Sequence, residues 1–383
     1  MSEAIEQAVI RKSPLDATHR QSGASLAEQD GWSLPASYGD TLGEYEAVRG
    51  ATGAGLIDLA SRGLVEVSGA EATAFLNGLI TNDVKTLEDG AWMLAAFPNA
   101  QGRLIAFARV LHLGDSYLFD TERATHAAVF KALERFTLAG DFHVADRTDE
   151  TALLSVQGAR AAACVGSTLG EDAARVERGR IHTVQWRDEP AHLIRATHTS
   201  EDGFDLFIGA QHAPSLWDAL MAAGAQPVGL DALEILRIEA GLPRFGVDMD
   251  DTNVVTETGL DEAVSYTKGC YIGQEIIARI HWRGHVAKRI SGLSFDGEVE
   301  ARRGAAIKAT DGKEIGRVTS ATVSPRLKRT IALAYVKYDY LAPGTQVSVR
   351  LDEEERAARV SELPFVRGSW YESARATRDE QSV

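Results

Sequence analysis

The eight residues 268–275, KGCYIGQE, hold the cysteine whose surroundings most favour chemistry. Cys270 is one of two cysteines in the 383 residues, and Lys268 stands two positions before it. The isoleucines that recur every four residues from Ile272 onward predict a helix. We therefore expect Cys270 in the turn before this helix, where free N–H groups, the helix dipole and Lys268 favour a thiolate. Cys270, Lys268 and Gln274 form the candidate reactive group. The alternative is a buried, inert cysteine, the usual state of a free thiol.

Two other stretches carry charged side chains that could bind a ligand. Glu201 and Asp202 lie in a polar turn, and one carboxylate can accept two parallel N–H bonds from a cyclic amidine-like edge. Arg237 stands among apolar residues of a predicted helix and could bind an anion in a cleft. Each has a plainer alternative. The carboxylates would lie in a solvated turn, and Arg237 would pair with Glu234, three residues earlier.

The sequence does not predict a metal site or a phosphate-binding loop. His281 and His285 are four residues apart, but Gly284 between them disfavours a continued helix and no third ligand is evident. The aspartates at 248, 250 and 251 lack the glycine and the distal glutamate of an EF-hand loop. A glycine-rich phosphate loop and a nucleophile elbow are absent from the sequence.

The composition is that of a globular protein with an acidic surface. Hydrophobic residues make up 44% and charged residues 25%, and the formal net charge is -15. Such a charge argues against general binding to nucleic-acid phosphates and against a polybasic membrane anchor. Two cysteines suit a reduced compartment, and no apolar run reaches the roughly 18 residues of a membrane span. We expect a cytoplasmic protein without direct nucleic-acid or membrane contacts.

The elements that must position these groups are mixed helices and strands. Apolar spacing predicts helices at residues 72–80, 122–138, 214–223 and 231–240, and alternation predicts a hairpin at 94–110. The order lacks the strict βαβ rhythm of a doubly wound sheet, so we predict an α+β fold. After Arg289, short alternating stretches between Gly, Pro and Asp turns predict a small β-barrel or jelly roll.

Several stretches, in their order and spacing, resemble the glycine-cleavage T-protein superfamily. The stretches that carry the likeness are GWSLP at 31–35, GLIDL at 55–59, TSEDGF at 199–204, LRIEAG at 236–241, GRVTS at 316–320 and LPFV at 363–366. The resemblance implies a three-part disc that binds folate in its central channel. Its parts would be two interleaved α+β subdomains at 31–290 and a C-terminal β-barrel at 291–371. A polar N-terminal segment at 1–30 and a frayed tail at 372–383 would flank them.

Within that superfamily, residues 268–275 match the KGCYxGQE signature of the YgfZ-type branch. The members of that branch bind tetrahydrofolate and support assembly or repair of iron–sulfur clusters, with effects on tRNA-modifying enzymes. The resemblance therefore predicts an accessory protein with tetrahydrofolate as cofactor. Its partners would be iron–sulfur enzymes or assembly proteins, and Cys270 would be its signature thiol.

A departure from the superfamily pattern concerns its enzymes. The aminomethyltransferases carry an Asp-Asp pair where this chain has Ala106 and Phe107, neither of which can relay a proton. We therefore expect that the chain is not a classical aminomethyltransferase. The alternative function is a tetrahydrofolate-dependent aminomethyltransferase or demethylase that has replaced the usual aspartate.

The folate contacts of the superfamily fall on four residues of this chain. Glu201 would hold the pterin, whose adjacent N–H donors suit a carboxylate, and Trp370 would supply an aromatic contact for the ring. Arg237 would hold the anionic glutamyl tail. His198 stands where the transferases often have tyrosine.

Overall fold

The structure is a computed structural model and describes residues 10–372 apart from 136 and 139. The strands are β1 (Arg11–Lys12), β2 (Ser25–Gln29), β3 (Trp32–Ser37), β4 (Gly55–Asp58), β5 (Gly63–Ser68), β6 (Ala91–Pro98), β7 (Leu104–Leu113), β8 (Ser116–Thr121), β9 (His143–Asp146), β10 (Thr151–Gln157), β11 (Ile181–Trp186), β12 (Glu189–Arg195), β13 (Gly203–Gly209), β14 (Gln226–Val228), β15 (Lys288–Phe295), β16 (Ala306–Ala309), β17 (Glu314–Ser324), β18 (Arg329–Lys337), β19 (Gln346–Leu351) and β20 (Glu354–Ser361). The helices are α1 (Asp16–Gln21), α2 (Thr41–Arg49), α3 (Ala72–Leu79), α4 (Arg123–Glu134), α5 (Ala161–Leu169), α6 (Glu171–Ala174), α7 (Ala213–Ala222), α8 (Leu230–Glu239) and α9 (Gln274–Arg283).

Two sheets that share the chain form the larger part of the molecule. One has the order β6-β7-β8-β5-β9 and the other β11-β12-β13-β10-β4-β14. The chain enters the second sheet at β4, leaves it to build the first, and returns at β10. The two sheets with their helices, and the barrel that follows, confirm the predicted α+β fold class. Helices α3 and α4 cover the first sheet with buried Leu76 and Val129, and α5 and α7 cover the second with buried Val165 and Trp217.

The C-terminal part is a closed barrel of order β15-β18-β17-β16-β19-β20. Its alternating residues turn apolar side chains inward, among them Leu293 and Val318. The sequence left a barrel and a jelly roll open, and the barrel is correct. Ile238 of α8 packs on Ile290 and Leu333 of the barrel, so α8 joins the barrel to the sheets.

Part of the predicted polar N-terminal segment is folded. Strands β1 and β2 flank β3, and buried His19 of α1 hydrogen-bonds Asp58 of β4 at 2.9 Å and the Tyr38 hydroxyl at 2.7 Å. The predicted tail lies outside the described residues except for Glu372. Within the described part of the chain, no helix has both the length and the apolar character needed to cross a membrane.

Candidate functional site

A cavity of about 180 Å³ opens where α8, the start of α4 and the segment after β4 meet. Its wall is rich in charged side chains, which is unusual for a space between packed elements. Its lining residues include the ionisable side chains of Arg62, Glu122, Arg123, His198, Arg237 and Arg244.

A buried ionic network lies behind this wall and joins the two sheets. Arg109 of β7 donates from Nε to Asp120 of β8 at 2.5 Å and from Nη1 to Asp205 of β13. Arg62 binds the same Asp120 through two N–H groups at 2.6 and 2.9 Å, and His198 bonds Asp205 at 2.8 Å. Because Arg62 and His198 line the cavity, both ends of the network reach its wall.

The network keeps its carboxyl groups ionised although they are buried. Burial alone would raise the pKa of Asp205, but His198 and Arg109 lie so close that its pKa falls well below the usual range. Arg109 and Arg62 lower the pKa of Asp120 in the same way against its burial. The Arg109 Nη2 is buried and has no hydrogen-bond partner among the described residues. A buried donor of this kind is costly to leave unpaired, and a ligand could satisfy it.

Glu122 is the carboxyl group of the cavity that remains available to a ligand. It directly precedes α4, yet its Oε2 accepts the Phe245 N–H at 3.0 Å instead of capping the helix. Burial raises its pKa, although Arg62, the Phe245 N–H, Arg244 and Arg237 all favour the ionised form. Its Oε1 has no hydrogen bond within the described part of the chain. A carboxyl group with a raised pKa in a cleft is a candidate for acid–base chemistry.

Arg237 lines the cavity, but its guanidinium is already bound. Its five N–H groups bond Glu234 twice, Asp248 at 2.7 Å, Ser320 at 2.7 Å and the Leu242 carbonyl at 3.1 Å. An arginine has five N–H donors, so none is left over. The plainer sequence alternative, an ion pair with Glu234, is therefore confirmed. Binding of a folate tail by Arg237 stays a prediction.

Glu201 and Trp370 both lie away from the cavity wall, where the turn after β12 contacts the C-terminal segment. The Glu201 carboxylate accepts from Arg49 at 2.7 Å and from the Ser369 N–H and hydroxyl at 2.8 and 2.6 Å. The Trp370 ring lies 3.5 Å from the Arg178 guanidinium carbon. Thus, of the four predicted folate contacts, the structure brings His198 and Arg237 to the cavity. The folate roles of Glu201 and Trp370 stay predictions.

Cys270 lies exposed in the turn that precedes α9, as predicted. Lys268, however, points its buried ammonium at the carbonyls of Ile80 and Asn82, at 2.8 and 2.6 Å. Burial lowers the pKa of Lys268 to about 8. Gln274 donates to the Gly269 carbonyl at 3.4 Å. The side chains of Lys268 and Gln274 therefore donate to backbone carbonyls rather than to Cys270. A reactive role for Cys270, Lys268 and Gln274 stays a prediction.

The second cysteine and the substituted aspartate positions belong to the core. Cys164 is buried, its thiol donates to the Ala223 carbonyl at 3.4 Å, and burial raises the pKa of the thiol. Ala106 is fully buried in β7, and Phe107 packs on Tyr271.

The histidines considered as metal ligands stack on aromatic rings. His281 lies 3.6 Å from the Tyr266 ring and His285 lies 3.8 Å from the Tyr338 ring, measured between centroids. The described residues contain no group of three or more His, Cys, Asp or Glu side chains that could hold a metal ion.

Sequence reasoning missed the network and Glu122. Arg109, Asp120 and Asp205 each stand alone among the apolar residues of a strand, a signal that could have marked them as buried and paired. A glutamate before a helix is common on protein surfaces, so Glu122 gave no such signal.

Comparison with known proteins gives matches over nearly the whole chain. Residues 15–268 match the GCVT N-terminal domain family and residues 288–367 match the glycine cleavage T-protein C-terminal barrel domain. An aminomethyltransferase of Rubrobacter xylanophilus is 34% identical over 95% of this chain and 96% of its own length. An aminomethyltransferase of Streptomyces coelicolor is 33% identical over 93% of this chain and 97% of its own length. The crystal structure of glycine cleavage system aminomethyltransferase T from Bartonella henselae is similar with a TM-score of 0.85 and 25% identity, covering 94% of this chain and 98% of that one.

These relatives correct the predicted function. The sequence motif at 268–275 predicts an accessory protein for iron–sulfur clusters, and that prediction is wrong. Relatives at 33–34% identity over nearly their full length are aminomethyltransferases, as is the similar solved structure. The alternative function, a folate-dependent transferase, agrees with them.

Proposed function

The chain belongs to the glycine cleavage T-protein family, and we propose that it is a tetrahydrofolate-dependent transferase of one-carbon groups, an aminomethyltransferase or a demethylase. The observation that carries this proposal is the cavity in which a buried ionic network and the Glu122 carboxyl meet. Ionised groups held in place behind the wall, beside a protonatable carboxyl, suit a reaction that moves protons and charge. The full-length likeness to aminomethyltransferases supports the same conclusion.

The residues at the cavity fit a reduced folate. A pterin ring carries adjacent N–H donors and ring acceptors, and His198 and Glu122 of the cavity wall offer matching groups. The cavity is smaller than the ~300–1,000 Å³ typical of sites that enclose a drug-sized ligand. We therefore expect it to take one end of the cofactor. When bound, tetrahydrofolate supplies a nucleophilic nitrogen that accepts the one-carbon group.

Glu122 takes the acid–base role in this proposal. The aspartate pair of the aminomethyltransferases is replaced by Ala106 and Phe107, whose side chains are buried in apolar clusters. Glu122 Oε1 can hold a proton more readily than an ordinary glutamate because burial raises the pKa of the group. The Phe245 N–H fixes the other oxygen, so the proton is presented in one direction. Arg62 and Arg237 orient the wall around it through their own ion pairs.

The proposal is tested with the purified full-length chain and a panel of one-carbon donors. Calorimetry measures tetrahydrofolate binding, and mass spectrometry measures methylene- and methyl-tetrahydrofolate after incubation. One arm supplies the aminomethylated carrier of a reconstituted glycine-cleavage system, and the other supplies N-, O- and S-methyl compounds.

Product in either arm supports the proposal, and the arm in which it forms tells aminomethyltransferase from demethylase. Absence of tetrahydrofolate binding refutes it, as does binding without product in every arm. The match of residues 268–275 to the YgfZ-type branch stays a prediction about this segment, and no activity is inferred from it.

A further inference from the structure

Among the residues that the structure describes, one arginine of the cavity wall has no partner. Four arginines line the cavity. Arg62 is bound by Asp120, Arg237 uses all five N–H groups, and Arg244 lies 3.4 Å from Glu234. Arg123, which is half-buried at the first position of α4, has no ion pair or hydrogen bond among the residues described.

The carboxyl groups of the same wall likewise divide into those that protein groups already bind and those that remain available to a ligand. Asp58 accepts from Ser13, His19 and the Ala60 N–H, and Glu234 is held by Arg237 and Arg244. Asp30 is exposed to solvent. Glu122 has one oxygen on the Phe245 N–H and the other uncommitted. Among the described residues of the wall, the two groups that are partly buried and still available, Glu122 and Arg123, are therefore neighbours in the chain.

The charge of Arg123 is poorly compensated. Burial lowers its pKa, as does nearby Arg11, while Asp146 and Asp30 act in the opposite direction. Its neighbour Glu122 does not neutralise it fully, because burial favours the uncharged carboxyl. A cation in the first turn of a helix is also disfavoured by the helix dipole. Helix stability therefore gives no reason for an arginine here, whereas an anionic ligand would.

We propose that Glu122 and Arg123 form a subsite for a carboxylic acid, in which Arg123 pairs with the carboxylate and Glu122 hydrogen-bonds the same ligand. The subsite rests on the proposed function, because the carboxylate would belong to one of its two reactants. One source is a small one-carbon donor that carries a carboxylate, and the other is the glutamyl end of the folate. The planar guanidinium suits either one, since it can bind a carboxylate through two parallel N–H groups.

Calorimetry with four probes separates these sources. Tetrahydrofolate has the glutamyl carboxylates, and 6-methyltetrahydropterin has the ring without them. Dimethylglycine and methoxyacetate carry a carboxylate with an N- or O-methyl group, and their amides serve as uncharged controls. The variant is Arg123→Gln, with Arg244→Gln as control inside the cavity and Arg326→Gln, on the exposed turn between β17 and β18, as control outside it.

Arg123→Gln should weaken binding of the relevant carboxylate about 10- to 100-fold, the range for losing a hydrogen-bonded charged partner. A loss confined to tetrahydrofolate, with 6-methyltetrahydropterin unchanged, identifies the glutamyl end. A loss for the methylated acids but not their amides identifies the donor. Unchanged affinity for every carboxylate probe overturns the subsite, and so does failure of the wild-type chain to bind any of them. If 6-methyltetrahydropterin and tetrahydrofolate both fail to bind the wild type, the proposed function fails instead.

The pH dependence of binding tests Glu122 separately. Around it stand Arg62, Arg237 and Arg244, with Asp58, Glu234, Asp30 and His198 on the other walls. Carboxylate affinity should fall as pH rises through the pKa of Glu122, because the ionised group competes for Arg123. Glu122→Gln remains uncharged and should bind with a flatter pH profile. Identical profiles in the variant and the wild type would remove Glu122 from the subsite.

Discussion

Replacing Arg109 tests whether the ionic network is as tightly built as its contacts indicate. Arg109→Met keeps most of the side-chain volume and removes the charge between Asp120 and Asp205. Both carboxyl groups are almost fully buried, at 1% and 0% exposure. Asp120 keeps Arg62 and Asp205 keeps His198, so neither is left wholly unpaired.

Breaking a buried ion pair by removing one partner typically costs about 3–5 kcal/mol. The two remaining partners place the expected loss near the lower end, at about 3 kcal/mol of unfolding free energy. Arg147→Met is the matched control, since it breaks a partly exposed pair with Glu66 at 2.7 Å. That substitution should cost less than about 1 kcal/mol.

The loss of unfolding free energy caused by Arg109→Met should also depend on pH, and the pKa of Asp205 sets the direction of that dependence. Its pKa in the folded protein lies below that of the unfolded chain. Its stabilisation is therefore fully present above the unfolded pKa, near 3.9, and is lost as pH falls toward the folded value. Without Arg109, the pKa of the Asp205 carboxyl is lowered less. The difference between variant and wild type should thus be largest near neutral pH and shrink below about pH 4.

Urea unfolding followed by tryptophan fluorescence measures the unfolding free energy of the variants and the wild type at each pH. All six tryptophans lie outside the barrel strands, so the signal reports the region that holds the network. A loss below about 1 kcal/mol at neutral pH would show that the network contributes no more than a surface pair. An equal loss at neutral and acidic pH would show that the missing charge is not its cause.

Three further predictions follow from single side chains. Glu122→Gln should lower one-carbon transfer about 10²- to 10⁴-fold if the group moves a proton, while Glu234→Gln lowers it much less; equal rates would remove that role. Because the folded pKa of Lys268 is about 8 against 10.5 in the unfolded chain, unfolding free energy should rise between those pH values, and Lys268→Met should abolish the rise. An alkylating reagent at neutral pH should label exposed Cys270 before buried Cys164, as read by peptide mass mapping; the reverse order would contradict the burial.

Much of the fold follows from local pattern. The hairpin of β6 and β7, helices α3, α7 and α8 and the barrel strands lie close to where alternation and helical spacing predict them. The predicted helix at 122–138 ends sooner, at Glu134. Such agreement is expected where each element buries one face, because burial imposes the period on the sequence.

The site was less predictable because its contacts join distant parts of the chain. Arg109 bonds Asp205, which lies 96 residues later in the sequence, and the local sequence of neither strand predicts this pairing. The resemblance points to His198, and both the helix pattern and the resemblance point to Arg237, but the structure gives Arg237 a full set of protein partners. Whether a charged side chain is committed or available depends on its neighbours in space. For that reason Glu122 and Arg123 became candidates only once the cavity was known.

The motif at 268–275 shows why a short match misjudged the function. Tyr271 is buried in the same apolar cluster as Phe107, and the Lys268 ammonium donates to the carbonyls of Ile80 and Asn82, just after α3. At Gly273 the φ angle is +77°, and a Cβ would lie 2.4 Å from the Asn99 carbonyl oxygen, so only glycine fits. Packing therefore accounts for these three residues without any reaction. A stretch under such constraints can persist in proteins of different activity, whereas the likeness to aminomethyltransferases extends over both sheets and the barrel. Cys270, by contrast, is exposed, so packing does not explain it.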